Sequence, residues 1–359
     1  MDDYRNEPIA DRIGRDFTGA MSLDVLLLGH RLGLLAMLAE RGPLTAAELA
    51  GATGYDGRYL AEWLAAMAAG GYIACDAAAE RFWLTPEQAA VYVDTESPVY
   101  AMPLIVWAPR LAGALPALEE AFRTGGGVPY AAYEPAGDDG TGNGNRVEFL
   151  THMATWLRAV PDVWQRVAGA RAVLDIGCGH GWSSIALAHA LPEATIDGAD
   201  ADPASLAAAE QNAARSGITD RIRFHLAAAE DLVLPQRYDL ITALECVHDM
   251  AQPVAALRKM RELLKPGGLV LVVDERMGDT LGENLTPLGH LNYAWSVLHC
   301  LPQARVDPDA AGTGCAMGPA RLHAYATAAG FERCDVLPIE HAAWRFYRLE
   351  ASTEKRRSG

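Results

Sequence analysis

The chain has 359 residues, half of them hydrophobic, and a formal net charge of −16 at pH 7. This length suffices for two domains, and the acidic balance argues against DNA, RNA or an anionic membrane as the main partner, because those are bound through basic patches. No apolar run is long enough to span a bilayer, the start Met1-Asp2-Asp3 is unlike a signal peptide, and the six cysteines form no C-x-x-C pair, so we expect a soluble, cytoplasmic, two-domain protein.

The first 96 residues have the pattern of a winged helix. Residues 1–17 mix charges without periodicity and are expected to form a loose arm, whereas Met21–Leu38 is apolar almost all round and predicts a helix buried on nearly every face. Four further elements are predicted in chain order: a capped short helix at 45–54, a helix capped by Asp56 and ending near Gly70, a hairpin at 72–84, and a capped helix opened by Thr85-Pro86-Glu87-Gln88.

The charges of this N-terminal domain decide between DNA binding and other roles. Residues 1–96 hold seven arginines, no lysine and fifteen acidic residues, so that 7 − 15 gives −8. Without neutralisation of phosphates, affinity for DNA is lost before any base can be contacted. We therefore expect a dimerisation or cap domain, with the Met21–Leu38 helix against a second subunit.

Residues 97–165 are predicted to link the two domains. Residues 97–123 and Phe149–Val167 read as helices, and the segment Gly137–Asn145, which carries four glycines, is predicted to be a mobile loop. The second domain is expected over 166–350, followed by a tail at 351–359.

Strands alternate with helices throughout the second domain. Five strands are predicted at 172–176, 194–199, 222–226, 238–244 and 269–273. Between them lie predicted helices at 182–191, from after Asp200 to Arg215, and at 251–264. A helix at 321–329 and a closing pair of strands at 333–338 and 343–349 follow, while 277–318 has no strong period and is expected to lie over the site. This alternation predicts an α/β fold with a doubly wound, Rossmann-like parallel sheet.

The first of these strands ends in a glycine turn, with glycines at 177, 179 and 181. A tight turn of this kind lets the backbone approach a ligand closely. The NAD fingerprint requires a glycine where Trp182 stands, so the turn does not favour NAD. Asp200 ends the next strand, where a carboxylate can accept hydrogen bonds from the ribose hydroxyls of a nucleoside.

With these motifs in place, the sequence resembles the class I S-adenosylmethionine-dependent methyltransferases. It is most similar to the subgroup with an N-terminal winged helix, which includes O-methyltransferases of plant and bacterial secondary metabolism, and within it to uncharacterised actinobacterial members. The resemblance covers about 17–349 and implies a homodimer joined through the N-terminal domain. The matching stretches are Val173–Gly181, Gly198-Ala199-Asp200, Tyr238-Asp239-Leu240, Leu264–Gly268 and His248-Asp249.

The resemblance also implies the cofactor residues. Asp175, Gly177 and Gly179 would face the methionine end of S-adenosylmethionine, Asp200 would hold its ribose, and Ala201 would pack on its adenine. The family usually has an acidic residue after the third strand to accept the adenine amino group, and here that position is Ala228. Either Glu230 or Asp231 takes this role, or the adenine is held by backbone and packing alone; Ala229 and Glu230 are the candidates for contact with the cofactor here.

His248 and Asp249 follow the fourth strand and are the catalytic candidates. In the O-methyltransferase relatives a His-Asp pair at this place carries the general base, and an imidazole is suited to accept a proton near neutral pH. The alternative is that the pair only caps the following helix. Glu245, Tyr293 and His299 are the candidates for the substrate pocket.

Two other functions remain open at this stage. His248 and His299, with Glu245 or Asp249, could hold a metal ion as in winged-helix α-keto acid C-methyltransferases that the sequence also resembles, although no metal is the first expectation. A regulator that binds the cofactor without catalysis, and DNA through the wing, is disfavoured by the charge of −8. The identity of the acceptor, and whether O, N or C is methylated, does not follow from the sequence.

Overall fold

The computed structural model describes residues 7–133 and 144–351, which form two compact units. Of these residues, 7–113 and 144–147 belong to the N-terminal unit, and 114–133 and 148–351 to the C-terminal unit. Most of the predicted mobile loop, residues 137–143, lies outside the described residues, as does the predicted tail after residue 351.

The N-terminal unit is a helical domain with a two-stranded wing. Its helices and strands are α1 (Ile9–Arg31), α2 (Leu34–Arg41), α3 (Ala46–Thr53), α4 (Gly57–Ala69), β1 (Ala74–Asp76), β2 (Arg81–Trp83), α5 (Pro86–Tyr92) and α6 (Met102–Gly113). The predicted caps are confirmed: Thr45 and Thr85 form capping boxes with Glu48 and Gln88, and Asp56 accepts the backbone N–H groups of the first turn of α4. Helix α6, expected from the sequence in the linker, contributes to the apolar core of this unit.

The sequence prediction for the first 38 residues was wrong in two respects. Residues 9–17, expected as a loose arm, are the first turns of α1, because Ile9, Ile13 and Phe17 recur every four residues and so share one face of a helix. The predicted helix Met21–Leu38 is divided by Gly33, whose φ of 72° is the left-handed conformation that ends a helix. Within this single chain, Met21 and Leu28 of that segment are about half exposed.

No single helix of the described residues is long and apolar enough to cross a membrane. Helices α1 and α2 meet that test of length and composition only as a pair, and they are bent by 70° at their junction.

Proline and glycine interrupt two helices that the sequence predicts as continuous. The predicted helix at 97–123 is α6 followed by α7 (Leu115–Thr124), and the predicted helix at 149–167 is α8 (Arg146–Ala159) followed by α9 (Pro161–Val167). Pro161 breaks the second pair, because proline has no N–H to continue the helical hydrogen bonds and disfavours a helical conformation in the residue before it.

A seven-stranded sheet forms the centre of the C-terminal unit. The strands are β3 (Ala172–Ile176), β4 (Thr195–Asp200), β5 (Ile222–Leu226), β6 (Tyr238–Leu244), β7 (Leu264–Glu275), β8 (Arg333–Val336) and β9 (Trp344–Glu350), in the order β5-β4-β3-β6-β7-β9-β8. The first five are parallel, and β9 pairs antiparallel with both β7 and β8. The predicted Rossmann-like sheet and its closing pair of strands are therefore confirmed.

Helices pack against both faces of this sheet, as expected for strands that are apolar on both sides. The helices are α10 (Trp182–Ala190), α11 (Pro203–Arg215), α12 (Pro253–Leu263) and α15 (Pro319–Ala329). The segment 277–318, for which the sequence shows no strong period, contains α13 (Pro287–Trp295), a π-helical turn (Ser296–Cys300) and the short α14 (Leu301–Gln303). The segment thus mixes short helices, one π turn and irregular backbone, so no single period extends over its length.

Candidate cofactor and acceptor site

The sheet order places two of the predicted motifs beside each other. Strand β3 lies next to both β4 and β6, so the order of the strands along the chain reverses between β3 and β6. In doubly wound sheets, ligands bind at the carboxyl ends of the strands at such a reversal. The glycine turn follows β3 and the segment containing His248 follows β6, so that both lie at this position.

The glycine turn is held by backbone hydrogen bonds and by Asp200. The N–H of Gly177 donates to the carbonyl of Ala199 over 2.8 Å, and the N–H of Gly179 donates to Oδ2 of Asp200 over 2.8 Å. Gly179 has a φ of 49°, and a Cβ placed on it would meet no atom within 4 Å. The turn therefore presents bare backbone to open space, which is the arrangement needed for close approach of a cofactor.

Asp175 lies beneath this turn, on β3, with no exposed surface. Its carboxylate accepts three short hydroxyl hydrogen bonds, from Ser183 (2.6 Å), Ser184 (2.7 Å) and Thr242 (2.7 Å). Burial raises the pKa of Asp175, and the three hydroxyls oppose this rise. These bonds tie β3 to the first turn of α10 and to β6, so that the carboxylate fixes the shape of the glycine turn from below.

The remaining cofactor candidates lie at the ends of β4 and β5. Asp200 is the last residue of β4; burial raises its pKa, and the backbone N–H groups of Asp202 and Gly179 counteract this. Ala201 follows it and is exposed, while Ala228 precedes a short 3-10 helix, Ala229–Asp231, that places Glu230 half-buried at the same edge of the sheet. The structure thus brings all of the predicted cofactor residues to one edge.

His248 is buried among carboxylates. Its Nδ1 lies 2.6 Å from Oδ1 of Asp274 and 3.1 Å from Oε2 of Glu275, and its Nε2 lies 3.4 Å from Oδ1 of Asp249. Asp274 and Glu275 are the last residues of β7, which pairs with β6. These two acids are not among the residues predicted from the sequence, although a pair of acids ending a buried strand at the ligand-binding edge is a signal that could reveal them.

His248 and the acids around it shift one another's pKa values. Burial alone would lower the pKa of His248, but the charges of Asp274 and Asp249 and the hydrogen bond to Asp274 raise it well above the ordinary value. Burial raises the pKa of Glu245 to about 8 and that of Asp249 to about 6, and burial beside Glu245 and Asp274 raises the pKa of Glu275. Burial opposes ionisation of Asp274, but the charge of His248 and its hydrogen bonds outweigh burial and lower the pKa of Asp274. This arrangement favours a protonated His248 beside an ionised Asp274, while the other three acids have raised pKa values.

Glu245 adopts a backbone conformation that is rare outside glycine, with a φ of 58°. Such conformations cost free energy and are found disproportionately at functional sites. The next residue, Cys246, contacts the glycine turn: its Sγ lies 3.2 Å from the carbonyl of Ile176, and a Cβ on Gly177 would come within 2.6 Å of the Cβ of Cys246. The segment after β6 is therefore packed directly on the cofactor turn.

His299 lies in an aromatic setting. Tyr133 packs edge-on against it at 4.8 Å and Tyr130 at 5.9 Å between ring centroids, and the hydroxyl of Tyr133 donates to the carbonyl of Leu298 over 2.8 Å. Burial, with a smaller effect from the charge of His248, lowers the pKa of His299 to about 4. Nothing in the sequence pattern indicated the two tyrosines, because their contact with His299 depends on the tertiary fold.

Tyr293 lies on α13, with its hydroxyl 3.3 Å from Nδ2 of Asn284, and it is half-buried. In the described part of the chain, the His, Cys, Asp and Glu groups compact enough to hold a metal ion are His248–Asp249–Cys300 and His248–Asp274–Glu275. Neither includes His299, the second residue of the histidine pair raised by the sequence.

Comparison with known proteins places these two units in described families. A methyltransferase domain family matches residues 169–305, and a family described as an Rv2258c-like winged HTH domain matches residues 19–93. The fold and domain classes expected from the sequence are thereby confirmed. The chain combines an N-terminal winged HTH domain with a methyltransferase domain.

Curated relatives are similar to part of the chain. A ubiquinone biosynthesis O-methyltransferase of Cereibacter sphaeroides is 42% identical over 100 residues, which are 28% of this chain and 39% of that one. A protein of the same name from Pseudomonas putida is 29% identical over 188 residues, 51% of this chain and 75% of that one. For the first curated relatives, the matched stretch covers 25 to 42% of their own length.

Solved structures resemble the chain over nearly its whole length. The mitomycin 7-O-methyltransferase MmcR has a TM-score of 0.73 at 21% identity, covering 96% of this chain and 98% of that one. Human N-acetylserotonin methyltransferase in complex with S-adenosylmethionine has a TM-score of 0.68 at 21% identity, covering 97% and 99%. At this level of identity the similarity establishes the fold.

Proposed function

We propose that this protein transfers a methyl group from S-adenosylmethionine to a small-molecule acceptor. The observation that carries the proposal is the open, bare-backbone glycine turn clamped by Asp200, at the strand-order reversal of a methyltransferase domain. S-adenosylmethionine supplies an activated methyl group when bound. The protein's own task is then to position the acceptor and to remove its proton.

The residues present fit this cofactor. In the proposal, Gly177 and Gly179 contact the methionine end, with Asp175 fixing their conformation from below, and Asp200 accepts hydrogen bonds from the ribose. Ala201, Ala229 and Glu230 surround the adenine, with Glu230 in place of the acid that is missing at Ala228. The half-buried position of Glu230 at the edge of the sheet supports this role.

The sequence suggests His248 as the general base, but the neighbouring carboxylates raise its pKa and favour its protonated form, so we propose that Asp249 accepts the proton and that His248 assists it. A pKa of about 6 makes the Asp249 carboxylate available as a base near neutral pH, and His248, held protonated by Asp274, lies 3.4 Å away to stabilise it. Glu245, Tyr293 and His299 are proposed to line the acceptor's side of the site.

Calorimetric titration with S-adenosylhomocysteine tests the cofactor site. Replacing Asp200 by Asn removes a charged acceptor of ribose hydrogen bonds, and we expect binding to weaken about tenfold to hundredfold. Asp220→Asn, an exposed carboxylate outside the site, is the matched control and should bind as the wild type does. Unchanged affinity in Asp200→Asn would contradict the assignment.

We further propose that the protein is a cytoplasmic homodimer joined through its N-terminal unit. The support is a row of exposed apolar side chains along one face of α1, namely Ile9, Ile13, Phe17, Met21 and Leu28. Exposed apolar rows of this kind are typical of interaction surfaces. All six cysteines are free thiols, which suits a reducing compartment.

A further inference from the structure

The carboxylates around His248 are short of hydrogen-bond donors. Within the described residues, four of their buried oxygens accept no hydrogen bond: Glu245 Oε1, Asp249 Oδ1, Asp274 Oδ2 and Glu275 Oε2. Asp274 is fully buried, so that its second oxygen is an acceptor with no surface to water. Buried polar atoms are nearly always satisfied in native proteins, and such a concentration of exceptions indicates a missing partner.

His248 does not satisfy these oxygens. Its Nδ1 hydrogen-bonds Oδ1 of Asp274, whereas its Nε2, 3.4 Å from Oδ1 of Asp249, makes no hydrogen bond with that oxygen, and the single imidazole contacts three of the four carboxyl groups. A partner that brings positive charge and several N–H donors would satisfy the remaining oxygens. The two acids with access from outside are Asp249, whose side chain is 21% exposed, and Glu245, which is also partly exposed.

Resting on the methyl transfer proposed above, we propose that the acceptor is an amine, whose ammonium group donates hydrogen bonds to Glu245 and Asp249. An ammonium carries one positive charge and three donors, which matches the need of the site. A phenol offers one donor and no charge, and an anionic acceptor such as an α-keto acid would meet like charge.

A divalent metal ion is the other cation that could fill such a site, since His248 forms groups compact enough to hold one with Asp249 and Cys300, or with Asp274 and Glu275. In the second group a metal on Nδ1 would have to displace the 2.6 Å contact with Asp274. The experiments below distinguish a bound metal from a bound amine.

The chemistry balances with the groups present. The bound ammonium gives one proton to the Asp249 carboxylate and becomes a neutral amine. Its nitrogen lone pair forms the new N–C bond as the C–S bond of the sulfonium breaks, and the bonding electrons remain on sulfur as the thioether. The methylated product leaves as an ammonium ion.

The acceptor class is tested by offering the wild-type protein labelled S-adenosylmethionine together with one of three compounds that share a benzene ring. They are 2-phenylethylamine, 4-ethylphenol and phenylpyruvate. We expect N-methylation of the amine at a rate at least about tenfold above either other probe, and tighter calorimetric binding of 2-phenylethylamine than of its neutral counterpart 2-phenylethanol.

A preference for the phenol or the keto acid would overturn the amine proposal while leaving methyl transfer intact. Equal binding of 2-phenylethylamine and 2-phenylethanol, without turnover of the amine, would overturn it as well. One tightly bound equivalent of a divalent metal in the purified protein would also overturn it. If the wild-type protein does not bind S-adenosylhomocysteine, that result would instead overturn the proposed methyl transfer itself.

A substitution of Glu245 tests where the ammonium group of the amine binds. Glu245→Gln keeps the shape but removes the carboxylate that would pair with an ammonium, and we expect 2-phenylethylamine to bind about tenfold more weakly while affinity for S-adenosylhomocysteine stays unchanged. The exposed Glu332→Gln is the matched control and should leave both affinities as in the wild type. Wild-type affinity for the amine in a folded Glu245→Gln variant would contradict the assignment.

Discussion

His299 shows how burial sets the charge of a single side chain. It is enclosed by Tyr130, Tyr133 and the π-helical turn that carries it, and burial lowers its pKa from 6.5 to about 4. The neutral imidazole is therefore the form that the folded protein favours. A neutral ring beside two tyrosines is suited to line a pocket for an aromatic or apolar part of the acceptor.

This shift makes a prediction about stability at acid pH. Because the folded pKa lies below the unfolded value, the contribution of His299 is complete above about pH 6.5 and is lost as the pH falls toward 4. The shift corresponds to about 3 kcal/mol of unfolding free energy. In His299→Gln, we expect denaturant unfolding to lose less stability between pH 7 and pH 4, by about this amount.

The exposed His323→Gln variant serves as the control for that measurement and should follow the wild-type pH dependence. If the stability of His299→Gln showed the same pH dependence as the wild type, the prediction that the fold keeps the His299 imidazole neutral would be wrong.

At the scale of elements, the cofactor turn depends on one glycine at the start of α10. Gly181 has a φ of 79°, and a Cβ on it would lie 2.9 Å from the Cβ of Ala209 in α11 and 3.0 Å from the ring of Phe224 in β5. The turn therefore needs glycine for its conformation and also for the close packing of a helix and a strand. Gly217 differs, since it has a φ of 69° but open space around its Cβ position.

These two glycines form a matched pair for mutagenesis. Gly217→Ala should cost about 1 kcal/mol through backbone strain alone. Gly181→Ala should cost about 1 to 3 kcal/mol more, because an overpacked contact is added to the same strain. Chemical denaturation of the two variants measures the difference, and equal losses would show that the packing around Gly181 yields without cost.

At the scale of the whole molecule, the row of apolar side chains on α1 is the feature that a monomer leaves unexplained. Phe17, at its centre, is 67% exposed. We expect Phe17→Glu to shift the protein from dimer to monomer in light scattering coupled to size exclusion, because a charge would be buried in an apolar interface. Val233→Glu, at a residue of the C-terminal unit that is 90% exposed, is the control and should leave the mass unchanged. A monomeric wild type would refute the proposed dimer.

The sequence by itself determined the class of fold and the place of the cofactor. Period, glycine and capping signals are local, so the strands around Val173–Gly181 and the caps at Thr45, Asp56 and Thr85 could be predicted from neighbouring residues. Asp200 could be named because the end of one strand and the glycine turn of the next meet at a known edge of a parallel sheet.

Only the tertiary structure decided the surroundings of His248. Asp274 and Glu275 reach it from β7, 26 and 27 residues along the chain, and Tyr133 reaches His299 from 166 residues away. Such contacts depend on strand order and on how side chains pack, and no local pattern encodes them. The same is true of the protonation of His248, because its charge is set by carboxylates that the fold brings together in a buried space with little water to screen them.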